Sequence, residues 1–396
     1  MLFDVFTEVQ KKDCEQHGGY GQLLRETVEQ ARAAEDAGIN GWWQVEHHCS
    51  ADFSYSSTPE LILSAIAGAT EKIRIGSAGF LAPLEINHWM RTAERAAVLD
   101  HISNGRMEVG LARSSGMEWS TFGVPDGGTT SLTDLVEITN LLPRAWTEES
   151  ITWKSDRWSV EGKNVQPKPV QKPHPPIWHT GSSPDSFRRA GEMGVGTLCT
   201  TLFTPVNLLA DRVEIYKKAI SACESPAGHF INNQVGVFTF VHVAESEKAA
   251  IESNAYRSAI WYVASVPRIY GISRDLFFQT VRGNIDPRSK FVWDQVDDAP
   301  LTEDELDDEN PAVALIKQEL GGHEITNEAV FEAVRDIDSV VIGDVDTCRK
   351  KIAKFKEAGF DRLLCMQQYG ELSHQEILKS TARLGAEIVP YFAEQA

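Results

Sequence analysis

The chain has 396 residues, 42% of them hydrophobic and 24% charged, an ordinary balance for a globular protein with a large core. It is longer than an average domain, yet a barrel with insertions reaches this length as one unit. A formal charge of -19 repels a phosphate backbone and an anionic bilayer, which argues against nucleic acid and membrane as partners.

No apolar run approaches the roughly 20 residues of a membrane span, and Met1 to Phe6 lead into polar residues without a basic, apolar leader. The six cysteines show no Cys-x-x-Cys spacing. The expectation is a cytoplasmic protein with reduced thiols and no metal centre.

Alternation predicts a strand over Leu2 to Phe6, and helical spacing through Leu23, Leu24, Val28, Ala31 and Ala34 predicts a helix over Gln22 to Ala37, closed by Gly38. The unit repeats as Gly41 to Val45 with Pro59 to Thr70, Ile73 to Phe80 with Trp89 to Ile102, and Met107 to Leu111 with Leu132 to Thr147. Four more follow: Pro176 to Thr180 with Ser186 to Met193, Gly196 to Thr200 with Pro205 to Cys223, Gln234 to Val243 with Ser246 to Val263, and Arg362 to Gln367 with His374 to Tyr391. A strand then a helix, eight times over, predicts one (β/α)8 TIM barrel spanning residues 1–396. Two stretches interrupt the rhythm. Residues 151–176 hold two short β-like runs and then five prolines, which fits a hairpin and an extended connector on the barrel rim. Residues 286–322 include nine acids and no Lys or Arg between Asp294 and Glu309, and read as an unpatterned, lid-like insertion over the barrel mouth.

Barrel active sites lie at the C-terminal ends of the strands. The second strand ends in Val45-Glu46-His47-His48. Neighbouring side chains on a strand point opposite ways, so one of His47 and His48 faces the cavity, and the pair cannot easily share a metal ion. The residues alone leave a structural histidine and a catalytic one open. Small residues at Ser77-Ala78-Gly79 allow a flat ligand to approach the backbone, or simply tight packing. Arg113, after the fourth strand, offers a partner for a phosphate or for a rim carboxylate. After the fifth, Ser182, Ser183 and Ser186 open a helix, where free amides and hydroxyls suit a phosphate as well as a cap. Trp42, Trp43, Phe80, Trp89, Trp119 and Trp178 near strand ends point to a ring-containing ligand or to core packing.

The order of these pieces resembles the bacterial luciferase-like flavin-dependent monooxygenase family. It is carried by Val45 to His48, Ile75 to Pro83, the specific run Leu99-Asp100-His101-Ile102-Ser103-Asn104-Gly105-Arg106, Val109 to Arg113, Pro176 to Trp178 with Ser182-Ser183-Pro184, Val341 to Asp344 and Asp361 to Leu364. The resemblance implies a homodimer that uses reduced FMN (FMNH2) from a separate flavin reductase and O2, through a C4a-peroxyflavin, to oxygenate a small organic substrate. It assigns His47 as general acid or base, with His48 second. It gives the flavin phosphate to Arg113, Ser182, Ser183 and Ser186, and a non-proline cis peptide beneath the flavin ring to Ala78-Gly79. Ala112 stands where light-emitting members carry cysteine, and His88-Trp89 replace the family's usual proline, so light emission is not expected. The same superfamily implies an alternative, hydride transfer with the deazaflavin F420. A binding protein without catalysis is disfavoured by a histidine and an arginine at one barrel mouth. A metal hydrolase is disfavoured because Asp4 stands alone on the first strand.

Overall fold

Strands sheathed by helices on the outside of a barrel and packed side chain to side chain on the inside must be apolar on both faces. This is why they read as short continuous runs. In the computed structural model, which describes residues 1–50, 52–283 and 301–394, the strands are β1 (Leu2–Thr7), β2 (Gly41–Gln44), β3 (Arg74–Leu81), β4 (Met107–Ala112), β5 (Ile151–Lys154), β6 (Ser159–Lys163), β7 (Ile177–Thr180), β8 (Gly196–Thr200), β9 (Val235–Val243), β10 (Val341–Gly343) and β11 (Arg362–Met366). Eight of them close a parallel ring in the order β1, β2, β3, β4, β7, β8, β9, β11, with β11 pairing back onto β1. The expected TIM barrel is therefore observed. β5 and β6 form the antiparallel hairpin anticipated between residues 151 and 176.

The connecting helices are α1 (Gly19–Asp36), α2 (Pro59–Ala69), α3 (Trp89–Ile102), α4 (Gly116–Phe122), α5 (Gly127–Thr147), α6 (Pro184–Glu192), α7 (Val206–Ser221), α8 (Glu247–Glu252), α9 (Ala255–Tyr270), α10 (Arg274–Val281), α11 (Pro311–Leu320), α12 (Asn327–Val334), α13 (Val345–Glu357) and α14 (His374–Arg383). None of the described helices is long and apolar enough to cross a membrane.

Several features differ from the sequence reading, among them the unexpected α4, α10, α12 and α13. The helix expected over Ser246 to Val263 is broken in two, because Asn254 adopts a left-handed conformation (φ 66°) between α8 and α9. The short β10 pairs in parallel with Val241 to Val243, so β9 carries an additional neighbour beyond the ring. Residues 286–300 of the expected lid, with three of the nine acids of Asp294 to Glu309, lie outside the described residues. The remainder is patterned: Asn310 caps α11 with Pro311 in its first turn, and α11 buries Ala312, Val313, Leu315 and Ile316. It packs against α9.

Two packed layers organise the barrel. Phe3, Val5, Ile75, Val109, Ile177 and Val237 face the helices, while Phe6, Trp43, Trp178, Leu198, Phe238 and Leu364 fill the interior. Phe6 and Phe238 stack with ring centroids 3.9 Å apart. Trp43 and Trp178 meet edge to face at 5.3 Å, and they fit only because Gly76 and Gly196 lie beneath them. A Cβ on Gly76 would sit 2.3 Å from the Trp43 ring, and one on Gly196 2.4 Å from the Trp178 ring.

The interior near the N-terminal ends of the strands is ionic. Asp4 accepts from Trp43 Nε1 at 2.9 Å and from Arg362 Nη1 at 3.0 Å, while Glu108 accepts from Trp178 Nε1 at 2.7 Å. Arg362 also donates to Gln234 at 2.7 Å. Removing one member of such a buried cluster strands the opposite charges, an effect of about 3–5 kcal/mol. Arg362→Ala is expected to lose that much in urea unfolding, and a loss below about 1 kcal/mol would show that the cluster does not hold the barrel closed.

Candidate active site

The cavity opens at the C-terminal ends of the strands. Its walls are apolar over Phe6, Leu81, Leu135, Leu202, Phe238, Val266 and Ile272, with polar groups gathered at two ends.

One end is built on His47. Beyond β2 the chain folds back, with His47 N donating to Ser56 O at 3.1 Å and the Ser56 hydroxyl donating to Val45 O at 2.6 Å. This places the imidazole in the wall, where His47 lines the cavity. His48 turns away: its ring meets Glu46 at 3.2 Å and packs edge-on against Phe122, and it does not line the cavity. The alternation argument thus selects His47. Glu46 is held by Asn87 at 2.9 Å and by the Leu81 amide at 3.0 Å, so it ties the end of β2 to that of β3.

Two carboxylates that sequence reasoning missed enclose His47. Glu118 approaches Nδ1 at 3.0 Å, and Glu8 lies 3.7 Å from Nε2. Glu118 also accepts from the amides of His48 and Ser115 and from the Ser114 hydroxyl, at 3.1, 3.0 and 2.6 Å. A carboxylate with so many donors stays ionised. Burial acts to raise the Glu118 pKa, but His47 and these donors bring it down to about 2. Burial alone would lower that of His47, yet Glu118 and Glu8 outweigh it and raise it to about 9. Glu8 has fewer donors, with Tyr262 at 3.0 Å, and burial raises its pKa. The pattern Ser115-x-x-Glu118 is a capping box at the start of α4, a readable signal for Glu118. Glu8 follows β1 with no such marker.

His47 is therefore an imidazolium at neutral pH. At the rim beside it, Ala78 and Gly79 also line the cavity. The register of β3 against β4 shifts between Ser77 and Phe80. The cis peptides among the described residues are Gln166-Pro167 and Lys172-Pro173, so the cis bond expected at Ala78-Gly79 is not found. A β-bulge there absorbs the extra residue instead. A Cβ on Gly79 would lie 2.5 Å from the backbone of Gly110, so the close approach of β4 requires a glycine here.

The other end gathers Arg113, Ser182, Ser183, Ser186 and a residue the sequence reading missed, Arg189 of α6. Arg113 donates to Ser131 Oγ at 3.2 Å and to Gly128 O. No carboxylate among the described residues lies within ion-pair distance of Arg113 or Arg189, and burial together with Arg189 lowers the Arg113 pKa to about 10. Ser183 Oγ caps α6 by accepting from Ser186 N at 3.2 Å, Ser186 Oγ donates to Ser183 O at 2.6 Å, and Ser182 Oγ accepts from Thr200 N at 3.3 Å. Of the six aromatic residues noted in the sequence, Trp119 lines the cavity, while Trp42, Trp43, Phe80, Trp89 and Trp178 are core.

A model of the luciferase-like monooxygenase family matches residues 1–362. The chain belongs to this family. This luciferase-like monooxygenase is 28% identical, over 65% of its length and 70% of the relative's, to the oxygenase component of a flavin-dependent trigonelline monooxygenase from Acinetobacter baylyi. Other curated relatives are matched over 52% and 50% of their lengths. Its fold is shared by the FMN-bound oxygenating constituent of 3,6-diketocamphane monooxygenase from Pseudomonas putida (TM-score 0.71, 18% identity, 98% of both chains). It is shared as well by the F420-dependent tetrahydromethanopterin reductase of Methanopyrus kandleri (TM-score 0.67, 17% identity, 99% of both chains).

A raised folded-state pKa adds stability that is complete below the unfolded value of about 6.5 and is lost as pH rises through the folded one. The luciferase-like monooxygenase is accordingly expected to lose stability between about pH 6.5 and about 9, a trend that His47→Gln flattens. Unfolding midpoints across this range check it, and a parallel slope in the variant would contradict the charge assigned to His47.

Proposed function

We propose that the protein is the oxygenase component of a two-component flavin-dependent monooxygenase, using reduced FMN from a separate flavin reductase, and O2, to oxygenate a small organic substrate. The observation that carries this reading is an apolar cavity with, at one end, two guanidinium groups that have no carboxylate within ion-pair distance among the described residues and, at the other, an imidazolium. Those residues fit the cofactor. Arg113 and Arg189 offer the charge a phosphate needs, and the turn from Ser182 to Ser186 gives it hydroxyls and the start of a helix. The small residues Ala78 and Gly79 in the cavity wall suit the face of a flat ring.

Reduced flavin, when bound, supplies the two electrons that activate dioxygen. The chain's own work is positioning and proton handling. Glu118 holds Nδ1-H, and the second imidazolium proton is at Nε2, 3.7 Å from Glu8. His47 is thus a general acid toward an oxygen gaining negative charge, and becomes a base only after giving that proton up. The apolar walls exclude water from the reacting atoms. His48, fixed on Glu46, has a positioning role. The name of the Acinetobacter relative as an oxygenase component supports a separate reductase. The F420-dependent neighbour supports the alternative, hydride transfer from reduced F420 in the same cavity. The cytoplasm, where reductases act, is the proposed location.

A homodimer is part of the proposal. Leu61 of α2 is 66% exposed, Val98 and Ile102 of α3 are exposed too, and the two helices pack side by side, forming an apolar face. Leu61→Lys is expected to shift the protein toward monomer in sedimentation velocity, and an unchanged profile would place the interface elsewhere.

Anaerobic titrations test the cofactor. Arg113→Ala is expected to weaken reduced FMN by about tenfold to a hundredfold, roughly one to two charge-assisted hydrogen bonds, and reduced riboflavin little. Equal weakening of both would make Arg113 a structural residue. Turnover with reduced F420 and none with reduced FMN and oxygen would select the alternative.

A further inference from the structure

The lining of the cavity also includes a buried histidine, His179 of β7, which neither the sequence motifs nor the family resemblance marks. Its hydrogen-bonding state follows from its neighbours. The hydroxyl of Thr139 on α5 donates its one hydrogen to Leu135 O at 2.5 Å, since a carbonyl only accepts. The same hydroxyl oxygen lies 2.8 Å from His179 Nε2, so Nε2 carries a hydrogen and donates it. In the neutral ring this leaves Nδ1 as a bare lone pair, and Nδ1 is buried with no partner. A buried polar atom without a partner is costly unless a ligand completes it.

The groups around His179 narrow what that ligand is. From α5 it meets Thr139, and from β8 the register partner is Thr197, neither ionisable. The charged group acting on it is Arg189 of α6, which also repels Arg113. Burial, with Arg189, holds the ring neutral in the free protein. Arg113, Arg189 and His179 thus line the same cavity, two cations and a neutral ring. A phosphomonoester dianion satisfies both cations, but its oxygen and Nδ1 can meet only with a proton between them.

Resting on the reduced-FMN reading above, we propose that His179 shares one proton with a phosphomonoester dianion bound between Arg113 and Arg189, so that the site selects this ligand class by taking up a proton on binding. The only bond made is N-H at Nδ1, or O-H on the phosphate facing it. The proton comes from solvent, and no electrons move. A phosphodiester, such as the tail of F420, brings one charge and a bulkier end, and fits the same groups less well.

The experiment compares reduced FMN with reduced riboflavin, anaerobically, from about pH 6.5 to about pH 8.5, so that ionisation of the ring cancels in the ratio. The preference for FMN is expected to fall about tenfold per pH unit in the wild type and to stay flat in His179→Gln. Calorimetry of the wild type in two buffers of different ionisation enthalpy should read about one proton taken up with FMN and none with riboflavin, whether or not the variant folds. A pH-independent preference without proton uptake would overturn the inference while leaving the FMN reading intact. That is the result expected if Nδ1 and the Thr197 hydroxyl merely share a water. Equal weakening of FMN and riboflavin in His179→Gln, as for a ring bonded to a sugar hydroxyl, would overturn it too. No preference for FMN at any pH would remove the reduced-FMN reading and this inference together.

Discussion

The site depends on one buried ionic contact, the imidazolium of His47 against the carboxylate of Glu118 at 3.0 Å. Neither charge would survive at that depth alone, because an isolated buried ion neutralises rather than persist. Glu118 is kept ionised by donors from Ser114, Ser115 and the His48 amide, and so keeps His47 charged. The contact joins the end of β2 to α4, and through Glu8 and Tyr262 it reaches the end of β1 and α9. Separate segments thus converge on one proton. Charge and architecture are fixed by the same bonds.

The far end of the cavity works by the opposite principle. There, among the described residues, no carboxylate comes within ion-pair distance of Arg113 or Arg189, and Asp185 and Glu192 act on Arg189 only from further off. On the proposed reading, the paired charge of His47 marks the reacting end of the cavity and the two guanidinium groups the holding end. The apolar stretch between them, from Phe6 and Phe238 to Leu135, spaces the ends apart.

The barrel was legible because double-sided burial imprints a simple pattern. Strands such as Val235 to Val243 are buried at every position, and the intervening helices carry their apolar residues at helical spacing. His47, Arg113, Ala78, Gly79 and the serine turn were reachable because strand ends are where barrels place chemistry. Glu8, Arg189 and His179 were not, since their roles arise from contacts across 39 residues or more, or from a missing partner, and neither leaves a local trace. Glu118 was readable as a capping box but not as the partner of His47. The break at Asn254 had no glycine or proline to announce it. α11 was overlooked because the acidity of Asp294 to Glu309 masked the Asn310-Pro311 start signal beside it.

A crystal structure of the protein soaked anaerobically with reduced FMN tests the central claim most directly. The account predicts the phosphate between Arg113 and Arg189, and the ring between Ala78-Gly79 and His47. A phosphate directed to solvent, or a ring bound away from His47, would contradict it.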